Sequence, residues 1–314
     1  MINVKGVFTV KWRKEGLIFE PKGQYDWVLS HASLPFAMHL ERDRYRIYFG
    51  GRNKENKTQP GYIEVDIKNP KEILYISPEP VLKLGRPGLF DDSAVWPCWI
   101  IEHNNSLYMY YAGWMRGLSV PYYSAIGLAI SEDGGKTFKK YSKAPIIDRN
   151  EIDPFSMSSS CVLIEDHIWK MWYLSVVNFR IENRKPMYCY HIKYAESKDG
   201  VHWVRKGIVC IDFKYPGETR IARPCVIKDC GIYKMWYSYA IGHGGYKIGY
   251  AESKDGIQWE RKDEEVGIGV SKFGWDSEMI CYPFVFEHKG QKYMLYNGNA
   301  YGKTGLGYAI LEEE

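Results

Sequence analysis

The sequence predicts an all-β fold, a five-bladed β-propeller with about four antiparallel strands per blade, and three observations carry that expectation. The first is a repeat: KMWY stands at Lys170–Tyr173 and Lys234–Tyr237, and YAESKDG at Tyr194–Gly200 and Tyr250–Gly256. Looser copies run Tyr108–Tyr111 with Ile130–Phe138, and Tyr293–Tyr296 with Gly307–Ile310. The second is spacing. Tyr48, Tyr110, Trp172, Trp236 and Leu295 fall in one column at steps of 62, 62, 64 and 59 residues, so the units number five. The third is composition: 26 Tyr and 11 Trp bring aromatics to 16%, which favours strands. No segment holds a 3.6-residue apolar period over roughly 11 residues, so helices should be rare.

Each unit follows one plan. A first strand begins after Pro or a small residue, in LPFAMHL, WPCWIIE, SSCVLIE, RPCVIKD and YPFVFEH. A polar turn leads into the aromatic second strand, and a variable loop precedes a third (GYIEVDI, IGLAISE, IKYAESK, IGYAESK, LGYAILE). Asp-Gly then turns units three and four into a short fourth strand with Trp203 or Trp259. In Tyr233–Tyr239 both faces carry bulky side chains, as expected of sheets covered on both sides.

The blades are expected near 25–75, 90–142, 153–206, 218–262 and 276–311, in one domain over 1–314. The fifth unit lacks a DGxxW segment. Lys11-Trp12-Arg13-Lys14-Glu15-Gly16 matches His202-Trp203-Val204-Arg205-Lys206-Gly207, so residues 7–13 should supply the outer strand of the last blade. Closing the ring in this way would protect the edges of an open array.

The charge balance, 42 basic against 38 acidic residues, is too even and dispersed for nucleic acid. No window approaches the roughly 18–20 apolar residues of a membrane helix. MINVKGVFTVKWRKEG carries no signal-like apolar run, so a cytoplasmic location is expected. Seven cysteines form no CxxC; Cys98, Cys161 and Cys225 share a repeat position with Phe36 and Phe284, which makes it a packing position. No cofactor and no metal-ligand spacing is read, although an acidic ring would be compatible with a central Ca²⁺. The oligomeric state stays open.

Chemistry is expected where the copies stop resembling one another, in the approaches to the innermost strands. Asp92 and Glu278 lie five residues before the repeat's Pro, and Asp91 and Glu218 six before it; Asp276 shares the approach of Glu278, and Asp153 sits in that of blade three. Carboxylates converging from different blades suit a two-carboxylate hydrolytic site, one protonated and one ionised. Asp92, Glu218, Glu278 and Asp153 are the catalytic candidates. His31, Asp91, Trp96, Trp114, Arg220, Arg223 and Asp276 are the substrate-binding candidates, the arginines as oxyanion clamps and the aromatics, Tyr122 included, against sugar faces. SEDGGKTF at Ser131–Phe138 resembles the Asp-box of sialidase-type propellers, and its Asp is expected to cap a turn.

The G-x-F-D-D opening of blade two, the DP of blade three, the RP of blade four and the YAxSxDGxxW tails together resemble the five-bladed propeller glycoside hydrolases. These are families 43, 32, 62 and 68 and the related family 130. The resemblance implies three acidic residues on separate blades: a base or nucleophile, a general acid, and a residue that tunes its pKa. Asp91 or Asp92 fits the second-blade acid, and Asp153 or Glu218 the next. The family's first-blade Asp is replaced by His31-Ala32-Ser33. Either the base has moved to Asp276 or Glu278, or the protein is phosphorylase-like, with Arg220, Arg223 and His31 holding phosphate. The expected function is thus an inverting glycosidase acting on a carbohydrate or glycoconjugate. A family 130-like phosphorylase and a non-catalytic glycan- or protein-binding propeller are the alternatives.

Overall fold

The structure, a computed structural model, describes residues 10–183 and 185–313. After β1 (Lys11–Phe19), the first antiparallel meander comprises β2 (Ser30–Glu41), β3 (Arg44–Arg52), β4 (Thr58–Asp66) and β5 (Ile73–Ile76). The second is β6 (Ala94–His103), β7 (Ser106–Arg116), β8 (Tyr122–Ser131) and β9 (Lys139–Lys140). β10 (Met157–Glu165), β11 (Ile168–Glu182), β12 (Lys185–Ser197) and β13 (Trp203–Ile211) make the third. The fourth holds β14 (Glu218–Asp229), β15 (Ile232–Ile241), β16 (Lys247–Ser253) and β17 (Glu260–Arg261). β18 (Cys281–His288), β19 (Gln291–Asn297) and β20 (Leu306–Glu313) form the fifth. The chain is all-β, as the repeat predicts. Its innermost strands lie against one another in a closed sequence: β2 on β6, β6 on β10, β10 on β14, β14 on β18, and β18 on β2.

β1 completes the fifth meander by pairing antiparallel with β20, Trp12 opposite Leu311 and Leu17 opposite Gly307. The closing strand therefore runs 11–19 rather than 7–13; residues 7–9 lie outside the described residues. Gly16, with φ near 101°, sits at a register shift, so the strand bulges there and continues.

The repeated Asp-Gly turns join one meander to the next. Tyr48 donates to the carbonyl of Gly135, Tyr110 to that of Gly200 and the Trp172 indole to that of Gly256, at 2.7, 2.8 and 2.7 Å. Each bond reaches from a second strand into the following meander's turn. Gly200 and Gly256 have φ of 75° and 76°, and a Cβ on Gly200 would sit 2.7 Å from the Tyr110 hydroxyl. Glycine is needed there for conformation and for space. The turn acids cap as anticipated: Asp133, Asp199 and Asp255 accept from the backbone N–H groups just after them. Cys161 and Cys225 are buried in one apolar cluster with Phe36 and Phe284, Cys98 is buried in another with Leu34 and Trp96, and all three thiols are free.

Candidate active site

Every innermost strand bulges at the repeat position that approaches the axis. The register slips at Leu34-Pro35, Cys98, Ser159, Arg223-Pro224 and Tyr282-Pro283. Leu34, Arg223 and Tyr282 hold φ of 57°, 55° and 57° although each precedes proline, which ordinarily forces extended backbone. Positive φ on non-glycine residues is strain that surrounding structure must hold. Here it turns Leu34 and Tyr282 toward a shared centre, whereas Arg223 lies buried behind it.

A cavity of about 350 Å³ opens at that centre. Ser33 and Leu34 come from β2, Ser158 and Ser159 from β10, Arg220 and Ala222 from β14, and Tyr282 from β18. Second and third strands and the loops between them supply the rim, Arg52, Trp114, Tyr122 and Tyr188 from the strands and Tyr246 and Tyr301 from the loops. The volume suits a small ligand. Trp114 and Tyr122 stack with ring centres 4.0 Å apart, and Tyr188 stacks on the other face of Tyr122 at 4.5 Å. The Tyr188 hydroxyl also bonds the Tyr122 backbone N–H at 2.9 Å, which ties the long β11–β12 hairpin to the second meander. Both faces of Tyr122 are thus covered by protein rings, so it offers its edge to a ligand rather than the face anticipated from sequence. Trp96 leans against Trp114 and also lines the cavity.

The expected convergence of carboxylates on this cavity does not occur. Asp91, Asp153, Glu218 and Asp276 are each at most 2% exposed and bonded inside their own meanders, although Asp91 keeps its Oδ1 without a partner. Tyr111 donates to Asp91 at 3.0 Å, and Lys140 of β9 pairs with it. Asp153 takes Tyr173, Ser175, Lys193 and Arg205 at 2.7–2.9 Å. Glu218 receives Arg261 bidentately at 2.8 Å, and the same guanidinium pairs with Asp263, the acceptor of Tyr237. Tyr296 and Lys14 of β1 hold Asp276 at 3.0 and 2.7 Å. Successive strand residues face opposite ways. Leu174 and Val176 line the cavity, so Tyr173 and Ser175, with Asp153, lie behind the sheet. In the first meander Phe49 replaces this tyrosine and packs on Trp27, with no acid.

Asp92 and Glu278 are outside these networks and outside the cavity lining. Asp92 accepts from Gly88 N–H and from the Ser93 hydroxyl, and Ser93 lines a smaller depression that shares Arg52, Trp114 and Tyr122 with the cavity. Glu278 lines another depression that shares Tyr246. Among the described residues no group of three or more His, Cys, Asp or Glu is arranged to hold a metal ion. Among the same residues no helix is long and apolar enough to cross a membrane.

The charge in and beneath the cavity is positive. Arg220 donates to the carbonyls of Gly242 and Gly244 at 3.0 and 2.7 Å and to the Tyr301 hydroxyl at 3.3 Å, with Tyr246's ring 5.2 Å away. Arg223 is fully buried behind the lining on the carbonyls of Cys98 and Pro35. Burial pushes the Tyr190 hydroxyl up to about 12 and those of Tyr246 and Tyr282 well above the usual value, so all three stay protonated near neutrality. Burial, with the Arg52 and Lys303 charges beside it, lowers His31 from 6.5 to about 4. His31 is therefore a neutral neighbour, not an anion clamp. Its proton resonances should titrate with a midpoint near 4 by NMR, and a midpoint near 6.5 would refute that environment. Because the folded value is depressed, its contribution to stability is present above pH 6.5 and is lost as pH falls through about 4.

No family model matches the chain. Two uncharacterised proteins of Mycobacterium tuberculosis do: MT1551 (strain CDC 1551 / Oshkosh) and Rv1502 (strain ATCC 25618 / H37Rv). Each is 42% identical over 301 residues, covering 96% of this chain and 99% of the relative. The chain belongs to their family. Among solved structures it is similar to a glycosyl hydrolase from Bacteroides ovatus, with a TM-score of 0.71 at 13% identity over 97% of this chain and 94% of that one. It is also similar to an exo-1,5-α-L-arabinanase from a bovine ruminal metagenomic library, with a TM-score of 0.62 at 18% identity over 92% and 95%. A thermostable family-43 glycoside hydrolase gives 0.63 at 18% over 91% and 89%. This family therefore has the fold of the propeller glycoside hydrolases, as the sequence resemblance implied.

Within that fold the sequence reading missed Arg52, Tyr188, Tyr190, Tyr246, Tyr282 and Tyr301, all on the cavity. A signal existed for one of them: Tyr282 stands directly before the repeat's Pro, in the column of Leu34 and Arg223. The others sit in or beside loops whose lengths differ from copy to copy, where the repeat gives no register.

Proposed function

We propose that this chain is a carbohydrate-active protein, one five-bladed propeller domain that binds a glycan in its central cavity and cleaves a glycosidic bond there. The observation that carries this reading is the cavity itself. It lies where the five innermost strands bulge inward, and it is walled by aromatic and arginine side chains on a fold shared with glycoside hydrolases. Of the six approach carboxylates considered, only Asp92 and Glu278 make no ion pair among the described residues. Glu278 lines a depression that shares Tyr246 with the cavity, and Asp92 is bonded to Ser93, which lines another that shares Arg52. We assign them the acid and base roles of an inverting cleavage.

Turnover of a panel of aryl glycosides by the wild type, Asp92→Asn and Glu278→Gln tests the assignment. Each variant should lose roughly 10²–10⁴-fold in rate, the usual worth of a positioned acid or base, at unchanged melting temperature. Full turnover by both variants would remove these residues from the chemistry. The unpaired arginines favour a second reading, phosphorolysis with inorganic phosphate on Arg52 and Arg220. It requires a rate that rises with added phosphate.

A further inference from the structure

Within the described residues, every lysine or arginine that is buried or half-buried is ion-paired to a carboxylate, with three exceptions. The exceptions are Arg52, Arg220 and Arg223. The first two line the central cavity, Arg223 is buried behind Leu34 and Ala222, and no carboxylate is in the lining. A second, independent observation points the same way. The Nε atoms of all three arginines and the indole Nε1 atoms of Trp96 and Trp114 are buried without a protein partner. All five are N–H donors. Buried donors are normally satisfied, and buried charges normally paired, because each unmet group costs free energy. A site that collects unmet donors and unpaired positive charge is shaped for a ligand that brings acceptors and negative charge.

We infer that the cavity is built for an anionic glycan, a sugar bearing an oxyanion such as a carboxylate or phosphate ester, with that group on Arg52 and Arg220. The inference rests on the reading of the cavity as the glycan site, and it adds the class of sugar. Arginine's planar fork matches an oxyanion bidentately. Arg220 is already held by the carbonyls of Gly242 and Gly244, so little side-chain freedom is lost when the ligand arrives. Arg223 stays on the carbonyls of Cys98 and Pro35 and acts at a distance, adding positive potential beneath the cavity floor. Free phosphate ion would satisfy the arginines alone. The aromatic remainder of the lining, Trp96, Trp114, Tyr122 and Tyr282, calls for a ring attached to the anion.

The test is titration calorimetry of the intact chain with matched pairs: glucose against glucuronate and glucose 6-phosphate, galactose against galacturonate, and inorganic phosphate alone. The acidic member of a pair should bind roughly tenfold to a hundredfold more tightly than the neutral one, the worth of a charge-assisted hydrogen bond. Arg220→Met should abolish that preference, read as the ratio of acidic to neutral affinity within the same folded variant. Arg52→Met, on a different meander, gives the same readout independently should the first variant misfold. Equal binding of neutral and acidic members overturns the inference and leaves the glycan site standing. Inorganic phosphate that binds as tightly as the acidic sugars also overturns it. No binding by any sugar overturns both.

Discussion

Asp153→Asn is expected to destabilise the protein by about 3–5 kcal/mol, the usual cost of removing one partner from a buried ionic cluster. Asp153 is fully buried, and Lys193 and Arg205, at 2.9 Å each, would be left as buried cations without a counter-charge. Burial pushes its carboxyl up, but the bonds from Ser175, Lys193 and Tyr173 outweigh that and hold it below the usual carboxylate range. Its contribution is therefore present above the unfolded value near 3.8 and is lost as pH falls through the lower folded value. Chemical denaturation of the variant at neutral pH makes the measurement. A loss under about 1 kcal/mol together with abolished turnover would instead make Asp153 a participant in the chemistry.

Removal of β1 should have the larger effect on folding. Trp12 is 4% exposed, meets Trp236 edge-on with ring centres 6.1 Å apart, and its backbone N–H donates to Gly267. Trp12→Ala alone should cost about 3–5 kcal/mol. A chain that begins after Phe19 loses this contact and the Lys14–Asp276 pair, and it bares the whole edge of β20. Bare strand edges pair with other chains. Such a chain should be recovered as aggregate, or melt far below the full chain in circular dichroism. An unchanged melting curve would show that the ring holds without its clasp.

The repeat was legible because packing repeats. The aromatic column of Tyr48, Tyr110 and Trp172 and the Asp-Gly turns recur for one physical reason: each second strand latches onto the next meander's turn. The closing strand was found but placed too early. Gly16 in β1 and Gly207 in β13 sit at positive φ within continuous strands, so the strand runs on past the glycine. The carboxylates misled for a similar reason. Asp91, Asp153 and Asp276 recur at the approaches because Tyr111, Tyr173 and Tyr296 recur in the second strands, and the acids belong to those tyrosines. Which face of a strand an approach residue turns toward depends on the bulge before the inner proline. No local pattern announces that bulge. The cavity's arginines were half legible, Arg220 from its approach, whereas Arg52 comes from the end of a strand that otherwise reads as core.

The clasp between β1 and β20 also sets the order of events during synthesis. Among the described residues β1 pairs in its ladder with β20, which is made after the four meanders between them. At typical elongation rates that interval is on the order of tens of seconds. Each intermediate meander can latch onto its predecessor as it emerges, but none can close the circle. Until residues 306–313 appear, β1 has no β20 edge to pair with. The pairing of β1 with β20 joins residues about 300 positions apart, and pairings of such long range form slowly. That interval is when a chaperone would have the most to do.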